Sequence, residues 1–265
     1  MPGADATLSD DLALLAETAR AGGDVALSFF RRDPTVWHKS GGSPVSEADL
    51  AVDRLLAERL CAARPAYGWL SEETADGPDR LERRRVFVVD PIDGTRAFLR
   101  GEEEWTVSLA IVEAGRPVAA ALLQPTTGRL MTAIAGGGAA CDGVPVHVSR
   151  RDAIAGSRLG APYKYLERRE VLDAAFAERR AVPSLALRIA EVAVGRFDVA
   201  YGTGNAHDWD LAAADLLVHE AGGRFTVASG EPLRYNRSDP RHPALVAATP
   251  GLFEEARRLL DRLAG

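Results

Sequence analysis

Cysteine is scarce. Cys61 and Cys141 are the two thiols in 265 residues. Two thiols make no disulfide framework, and neither belongs to a Cys-x-x-Cys pair. They read as small core residues in a reducing compartment. Long apolar runs are also missing, since none approaches the roughly 18 residues of a membrane span. The opening residues, MPGADATLSDD, are acidic and lack an apolar centre, so no signal peptide is expected. A surplus of cations is absent as well. Lys+Arg is 32 against Asp+Glu 38, a net charge of −6. Such a chain is a poor general binder of nucleic acid polymers or anionic membranes. It can still bind a small anion if a metal ion supplies local positive charge. These absences lead to the expectation of a cytoplasmic protein.

Several motifs are also lacking. No Gly-Lys-Ser/Thr phosphate loop occurs, and Gly136-Gly-Gly138 fails as a dinucleotide fingerprint because Cys141 takes the last glycine position. The five histidines, His38, His147, His207, His219 and His242, show no HExxH spacing. Most read as structural or surface residues. His207 stands apart because it lies three residues before Asp210.

What is present is ordinary globular material, 46% hydrophobic and 26% charged. A helix is expected over about 9–31, capped by Ser9, with Leu12, Leu15, Ala19 and Phe29 or Phe30 near one stripe. A loop, Lys39 to Pro44, follows, and Gly41-Gly42 would permit it to move. Ser46-x-x-Asp49 then forms a capping-box pattern ahead of Val52, Leu55, Leu56 and Leu60. Val86 to Val89 reads as a buried strand ending at Asp90. Trp105, Val107, Leu109 and Ile111 alternate, and turn signals at Gly115, Gly128 and Gly143 suggest an antiparallel meander. Beyond it, helices near 165–179, 184–194, 210–221 and 251–263 interleave with strands near 197–201, 224–227 and 244–248. Gly195 and Gly222 sit where helix C-caps belong. The expectation is a layered α/β protein with two subdomains, residues 1–145 and residues 146–265.

The segment Val88-Val89-Asp90-Pro91-Ile92-Asp93-Gly94-Thr95 is the most informative. A buried strand delivers Asp90 to its end, and Pro91 fixes the exit of the chain. Asp93 follows three residues on, and Gly94 permits a tight turn. Two carboxylates and the Ile92 carbonyl can then enter one small volume. Oxygen ligands of this kind suit a hard cation such as Mg²⁺. A helix starting at Thr95 would turn its free N–H groups toward phosphate. Glu72-Glu73, Asp49 and Asp210 each have a plain alternative: a solvated loop, a capping-box acid and a helix N-terminal acid. Four carboxylate segments in one chain need a joint account. A dehalogenase-type phosphatase is excluded by spacing, since that chemistry needs Asp-x-Asp-x-Thr.

Trp69-Leu-Ser-Glu-Glu73, DPIDGT and Trp209-Asp-Leu-Ala-Ala-Ala-Asp215 followed by Glu220-Ala-Gly-Gly, in this order, closely resemble the inositol monophosphatase superfamily of Mg²⁺-dependent, lithium-sensitive phosphatases. The resemblance runs from Lys39 to about Thr249. It implies the layered αβαβα sandwich. It implies two Mg²⁺ ions, with room for a third, held by Glu72, Asp90, the Ile92 carbonyl, Asp93 and Asp210, with Asp90 bridging. Glu72 and Thr95 would orient and deprotonate a metal-bound water for in-line attack, with no phosphoenzyme. Gly94 and Thr95 would hold phosphate through backbone N–H groups. Lys39 and Asp49 match the family's mobile N-terminal loop, with Asp49 a helper for the third ion and Glu73 an adjacent acid. Members often form dimers, so a homodimer is compatible. A pseudoenzyme that only senses phosphate or metal is disfavoured, because Glu72, Thr95 and the ligand set are all present.

The resemblance leaves three substrate branches: 3′(2′),5′-bisphosphate nucleotides (the CysQ type), inositol monophosphates and histidinol phosphate. Ser43-Pro-Val-Ser-Glu-Ala-Asp49 and Leu70-Ser-Glu-Glu73 look more CysQ-like. Arg188 in Ser184-Leu-Ala-Leu-Arg188 stands where nucleotide-type members usually carry Lys, and a guanidinium there would grip a second phosphate. The glutamate that the inositol branch carries before its WD segment is missing from Gly202-Thr-Gly-Asn-Ala-His207. Arg96-Ala-Phe-Leu-Arg-Gly101 looks like histidinol phosphatases. The expected partner in every case is a small phosphorylated metabolite.

Overall fold

The computed structural model describes residues 7–39 and 42–264. Helix α1 (Leu8–Phe29) opens one residue earlier than expected. Thr7, not Ser9, caps it, with Asp10 completing a capping box. The Lys39–Pro44 loop connects a short antiparallel hairpin, β1 (Val36–His38) and β2 (Pro44–Ser46). Gly41 lies outside the described residues. Helix α2 (Glu47–Ala63) begins as its capping box demands, with Ser46 and Asp49 reciprocally bonded.

Seven strands then form the first sheet: β3 (Gly68–Ser71), β4 (Arg85–Asp93), β5 (Thr106–Glu113), β6 (Arg116–Gln124), β7 (Arg129–Ile134), β8 (Gly138–Cys141) and β9 (Val144–Val146). They lie in chain order. Strand β3 is parallel to β4, and the remainder is the expected antiparallel meander. A 3₁₀ turn (Pro78–Glu82) precedes β4, and a short helix α3 (Thr95–Leu99) follows it.

The next stretch departs from expectation. Residues 165–179 do not make one helix. They form α4 (Tyr163–Leu166), α5 (Arg169–Asp173) and the edge strand β11 (Glu178–Arg180), which pairs in parallel with β10 (Arg158–Gly160). Ala175 adopts a left-handed φ of 54°, and the Ala177 amide bonds the Ser157 carbonyl. Pairing with β10 thus overrides a helix-forming composition.

Helix α6 (Leu185–Ala193), β12 (Val199–Gly202), β13 (Ala206–His207), α7 (Asp208–Glu220), β14 (Arg224–Val227), β15 (Arg241–His242), β16 (Leu245–Ala248) and α8 (Phe253–Ala264) complete the chain. The second sheet has the order β11-β10-β12-β16-β14, and β13 with β15 makes a separate two-stranded ribbon. Gly195 and Gly222 take positive φ just beyond the ends of α6 and α7, as C-cap glycines do.

Three apolar cores stack these elements. Leu15, Ala19, Val52 and Leu56 of α1 and α2 pack on Phe87, Val107, Leu109 and Ile111 of the first sheet. The opposite face of that sheet, with Val86, Val88, Ala110 and Leu122, meets α6 and α7, which also cover Ala200, Leu245 and Ala247 of the second sheet. The far side of the second sheet, Val199, Tyr201 and Val246, meets α5 and α8. The result is a layered αβαβα sandwich. The thiols depart from the core reading: Cys61 and Cys141 are free and only partly buried. Among the described residues, no helix is long and apolar enough to cross a membrane.

Candidate active site

Strand β4 does not stop at Asp90. It runs on through Pro91 to Asp93, with its ladder to β5 shifted: Asp90 opposes Ser108 and Asp93 opposes Thr106. Three steps on one strand match two on the other, which defines a β-bulge. In a regular strand, residues three apart face opposite ways. Here both aspartates share the face that Ser108 and Thr106 occupy. Ile92 drops into the α1/α2 core beside Phe87 and Val89, on the other side.

The bulge meets acids from two other elements. Glu72 follows β3, and Asp210 lies in the first turn of α7. Carboxylate oxygens of Glu72, Asp90 and Asp210 lie within 4.8 Å of one another. Burial, reinforced by Glu72 and Asp93, pushes the Asp90 carboxyl well above its usual range, and burial with Asp93 and Glu72 does the same to Asp210. Asp93 sits beside this trio, lining the same cavity, with burial raising it to about 6. One of its oxygens, Oδ2, is already committed. It accepts the Ser184 hydroxyl and, at 2.7 Å, the Ala186 amide at the start of α6.

The donor set fits a hard divalent cation. Asp90 is 1% exposed, its Oδ1 takes the Ile92 amide at 3.0 Å, and its Oδ2 is buried with no hydrogen-bond donor. An orphaned carboxylate oxygen among other acids is stabilised by a cation and by little else.

The Thr95 hydroxyl lies 3.1 Å from both the Ile92 carbonyl and Asp49 Oδ1. Asp49 is therefore more than a capping acid. Its Oδ2 accepts from the Ser46 amide (2.8 Å) and hydroxyl (2.5 Å), while its Oδ1 faces Thr95. Burial raises its carboxyl. Gly94 makes the turn into α3 with φ 100°, a conformation that L side chains rarely adopt. Lys39 reaches from the hairpin, its Nζ 2.9 Å from both Glu72 Oε1 and Glu73 Oε1. Burial, with the Glu72 charge adding to it, lifts Glu73 to about 7 against the pull of Lys39. Two supports were not foreseen in the sequence. Asp53 of α2 takes the Ser71 hydroxyl (2.5 Å) and the Thr74 hydroxyl (2.7 Å), clamping the turn that carries Glu72 and Glu73.

His207 caps α7, its amide 2.7 Å from Asp210 Oδ2, and its ring stacks on Trp209 at 4.5 Å. Burial pushes the imidazole below its usual range. Arg188 requires a correction. It is only 6% exposed, donates to the Val182 (3.0 Å) and Tyr201 (2.9 Å) carbonyls, and lies beneath the site. A guanidinium spent on two main-chain carbonyls in the interior cannot grip a substrate phosphate in the open cleft.

A cavity of about 350 Å³ opens above these groups. Carboxylates gathered at the end of a bulged strand, in a layered αβαβα sandwich, define a phosphoric monoester hydrolase when set beside known proteins. Residues 8–262 match the inositol monophosphatase family, and the chain belongs to it. An inositol-1-monophosphatase of Rhizobium meliloti (strain 1021) is 38% identical over 198 residues, 70% of this chain and 73% of that protein. A 3′(2′),5′-bisphosphate nucleotidase CysQ of Aggregatibacter actinomycetemcomitans is 31% identical, over 84% and 86% of the two chains. A Streptomyces griseus protein named glucose-1-phosphate thymidylyltransferase is 37% identical, over 85% and 86%. Among solved structures, the extragenic suppressor protein suhB of Bartonella henselae superposes with a TM-score of 0.85 at 29% identity, covering 95% of this chain and 98% of that one.

Proposed function

We propose that the protein hydrolyses a small phosphomonoester with Mg²⁺, and that its preferred substrate is a 3′(2′),5′-bisphosphate nucleotide. The observation that carries the hydrolytic reading is the orphaned, buried Asp90 Oδ2 within a cluster that Glu72 and Asp210 complete. Glu72, Asp90 and Asp210 would hold the cation, with Asp93 and the Ile92 carbonyl beside them. Two ions, and a third near Glu73 and Asp49, match the number of acids present. Bound Mg²⁺ supplies positive charge for the phosphoryl oxygens and for the leaving oxygen. The chain supplies the rest. The Thr95 hydroxyl, set between Asp49 and the Ile92 carbonyl, orients the attacking water, and Asp49 draws the proton through that hydroxyl. Glu72 stands ready as a second acceptor once Lys39 leaves it. Gly94 and Thr95 amides face the phosphate. The substrate choice is supported by the CysQ-like Ser43–Asp49 segment and by the absence of a glutamate over residues 202–207.

The inositol-1-phosphatase reading stands second, because the Rhizobium relative carries that name at the higher identity. The deciding assay measures phosphate release in excess Mg²⁺ from adenosine 3′,5′-bisphosphate, inositol 1-phosphate and histidinol phosphate, in parallel with Glu72→Gln and under a lithium titration. The expected result is the highest kcat/KM on the nucleotide, a loss of at least about 10²-fold in the variant, and inhibition by millimolar lithium. No release from any of the three by the wild type, with an identical variant, would overturn the reading.

A further inference from the structure

Arg188 is removed from the cleft by its burial, yet the cleft is not without cations. Arg96 and Arg100 line the same cavity as Glu72, Asp93 and Asp210. They stand four residues apart, at the start of α3 and at its C-cap. The other side of α3 is fixed. Ala97 and Phe98 are buried, and the Phe98 ring packs at 5.0 Å from Trp105 and 5.5 Å from Phe30. Its end is pinned by the Arg31 guanidinium, which donates to the Gly101 carbonyl at 2.9 and 3.0 Å. The two arginines therefore sit on a rigid platform rather than on a mobile loop.

Like charges four apart on a helix repel, so the pair is not explained by helix stability. Arg100 is answered by Glu102, through two contacts of 2.6 and 3.0 Å. Arg96 has no hydrogen-bond or ion-pair partner among the described residues. The acids that follow α3 in the chain are engaged elsewhere: Glu103 pairs with Arg31 and Glu104 with Arg180. The cavity is thus bipolar. Carboxylates that call for cations occupy one part of the wall, and an unanswered guanidinium another.

We infer that Arg96 is a specificity-determining residue, binding a second phosphate carried by the substrate beyond the one that is hydrolysed. This rests on the hydrolytic reading above and sharpens its substrate class. An arginine fork matches the geometry of phosphate oxygens bidentately. Arg100, neutralised by Glu102, does not compete for the ligand. Inositol 1-phosphate and histidinol phosphate offer no second anion to it.

The test compares adenosine 3′,5′-bisphosphate with adenosine 3′-monophosphate, which differ only in the second phosphate. The wild type is expected to favour the bisphosphate in kcat/KM. Arg96→Gln is expected to reduce the ratio of the two values by about 10- to 100-fold, mainly through KM, and Arg96→Lys to restore part of it. A ratio within one preparation does not depend on the fraction of protein folded. A wild type that cleaves both equally, or a variant with an unchanged ratio, overturns the assignment of Arg96 while leaving the hydrolytic reading intact. A wild type that cleaves neither nucleotide, nor p-nitrophenyl phosphate, nor inositol 1-phosphate overturns both.

Discussion

At the scale of single residues, Gly94 shows how little room the site leaves. Its φ of 100° excludes most side chains, and an added Cβ would lie 3.2 Å from the Glu104 carbonyl and 3.3 Å from Trp105 Cβ. Relief would have to come from the turn that aims Asp93 and Thr95. Gly94→Ala is expected to cost a few kcal/mol in transition-state stabilisation, on the order of 10²-fold in kcat/KM, with a smaller loss of stability. Steady-state kinetics beside a urea melt check this, and a variant that loses stability but keeps its kcat/KM would refute it. The same scale shows what a sequence reveals. Asp90 and Asp93 stand out in the sequence because two acids follow a buried strand through a tight turn; Glu72 and Asp210 each have a plain local reading, and the resemblance alone ties them to the two aspartates. Arg188 was misjudged because its position in a helix does not tell which way the helix faces. Arg96 enters the sequence reading only within the Arg96–Gly101 segment, because an exposed arginine beside a turn is ordinary until the cavity around it is known. The Asp49–Thr95 contact joins residues 46 apart, and no local pattern encodes it.

At the scale of elements, local signals held where the chain decides locally. The Ser46-x-x-Asp49 box, the meander and the glycines after α6 and α7 are all set by neighbours within a few residues. No single helix forms over 165–179 because β10 supplies a parallel partner that local composition cannot anticipate. Long-range ties also fix the helices. Asp11 of α1 is fully buried and receives Arg64 (2.8 Å), Arg85 (3.0 Å) and the Tyr67 hydroxyl (2.9 Å), joining α1 to the end of α2 and to β4. Removing one member of such a set leaves the others unanswered in a poorly hydrated place. Asp11→Ala is expected to destabilise the fold by about 3 kcal/mol, because its arginine partners keep some access to water. Chemical denaturation measures this, and a cost under about 0.5 kcal/mol would contradict the role given to Asp11.

At the scale of the whole molecule, the site and the fold oppose each other until a cation arrives. Asp93 holds its proton to about 6 when folded, and Asp90 and Asp210 hold theirs well above the usual range. The unfolded chain releases these protons near pH 4. Between those limits the folded state binds more protons, so raising the pH weakens the metal-free fold. Mg²⁺ favours the ionised carboxylates and reverses the trend. The rise in Tm on adding Mg²⁺ is therefore expected to be larger at pH 7.5 than at pH 5.5. Calorimetry at both values checks it, and equal increments would argue against these carboxylates as the ligands. The bulge between Asp90 and Asp93 carries a separate consequence. It acts as a one-residue frameshift in the ladder. Upstream of it, odd-numbered residues of β4 fill the α1/α2 core; beyond it, the even-numbered Ile92 does so. A ladder made regular here without any change in length would keep every upstream pairing while turning Asp93 into the apolar α1/α2 layer. The one extra residue thus sets the aim of the second aspartate without altering the sheet upstream of it.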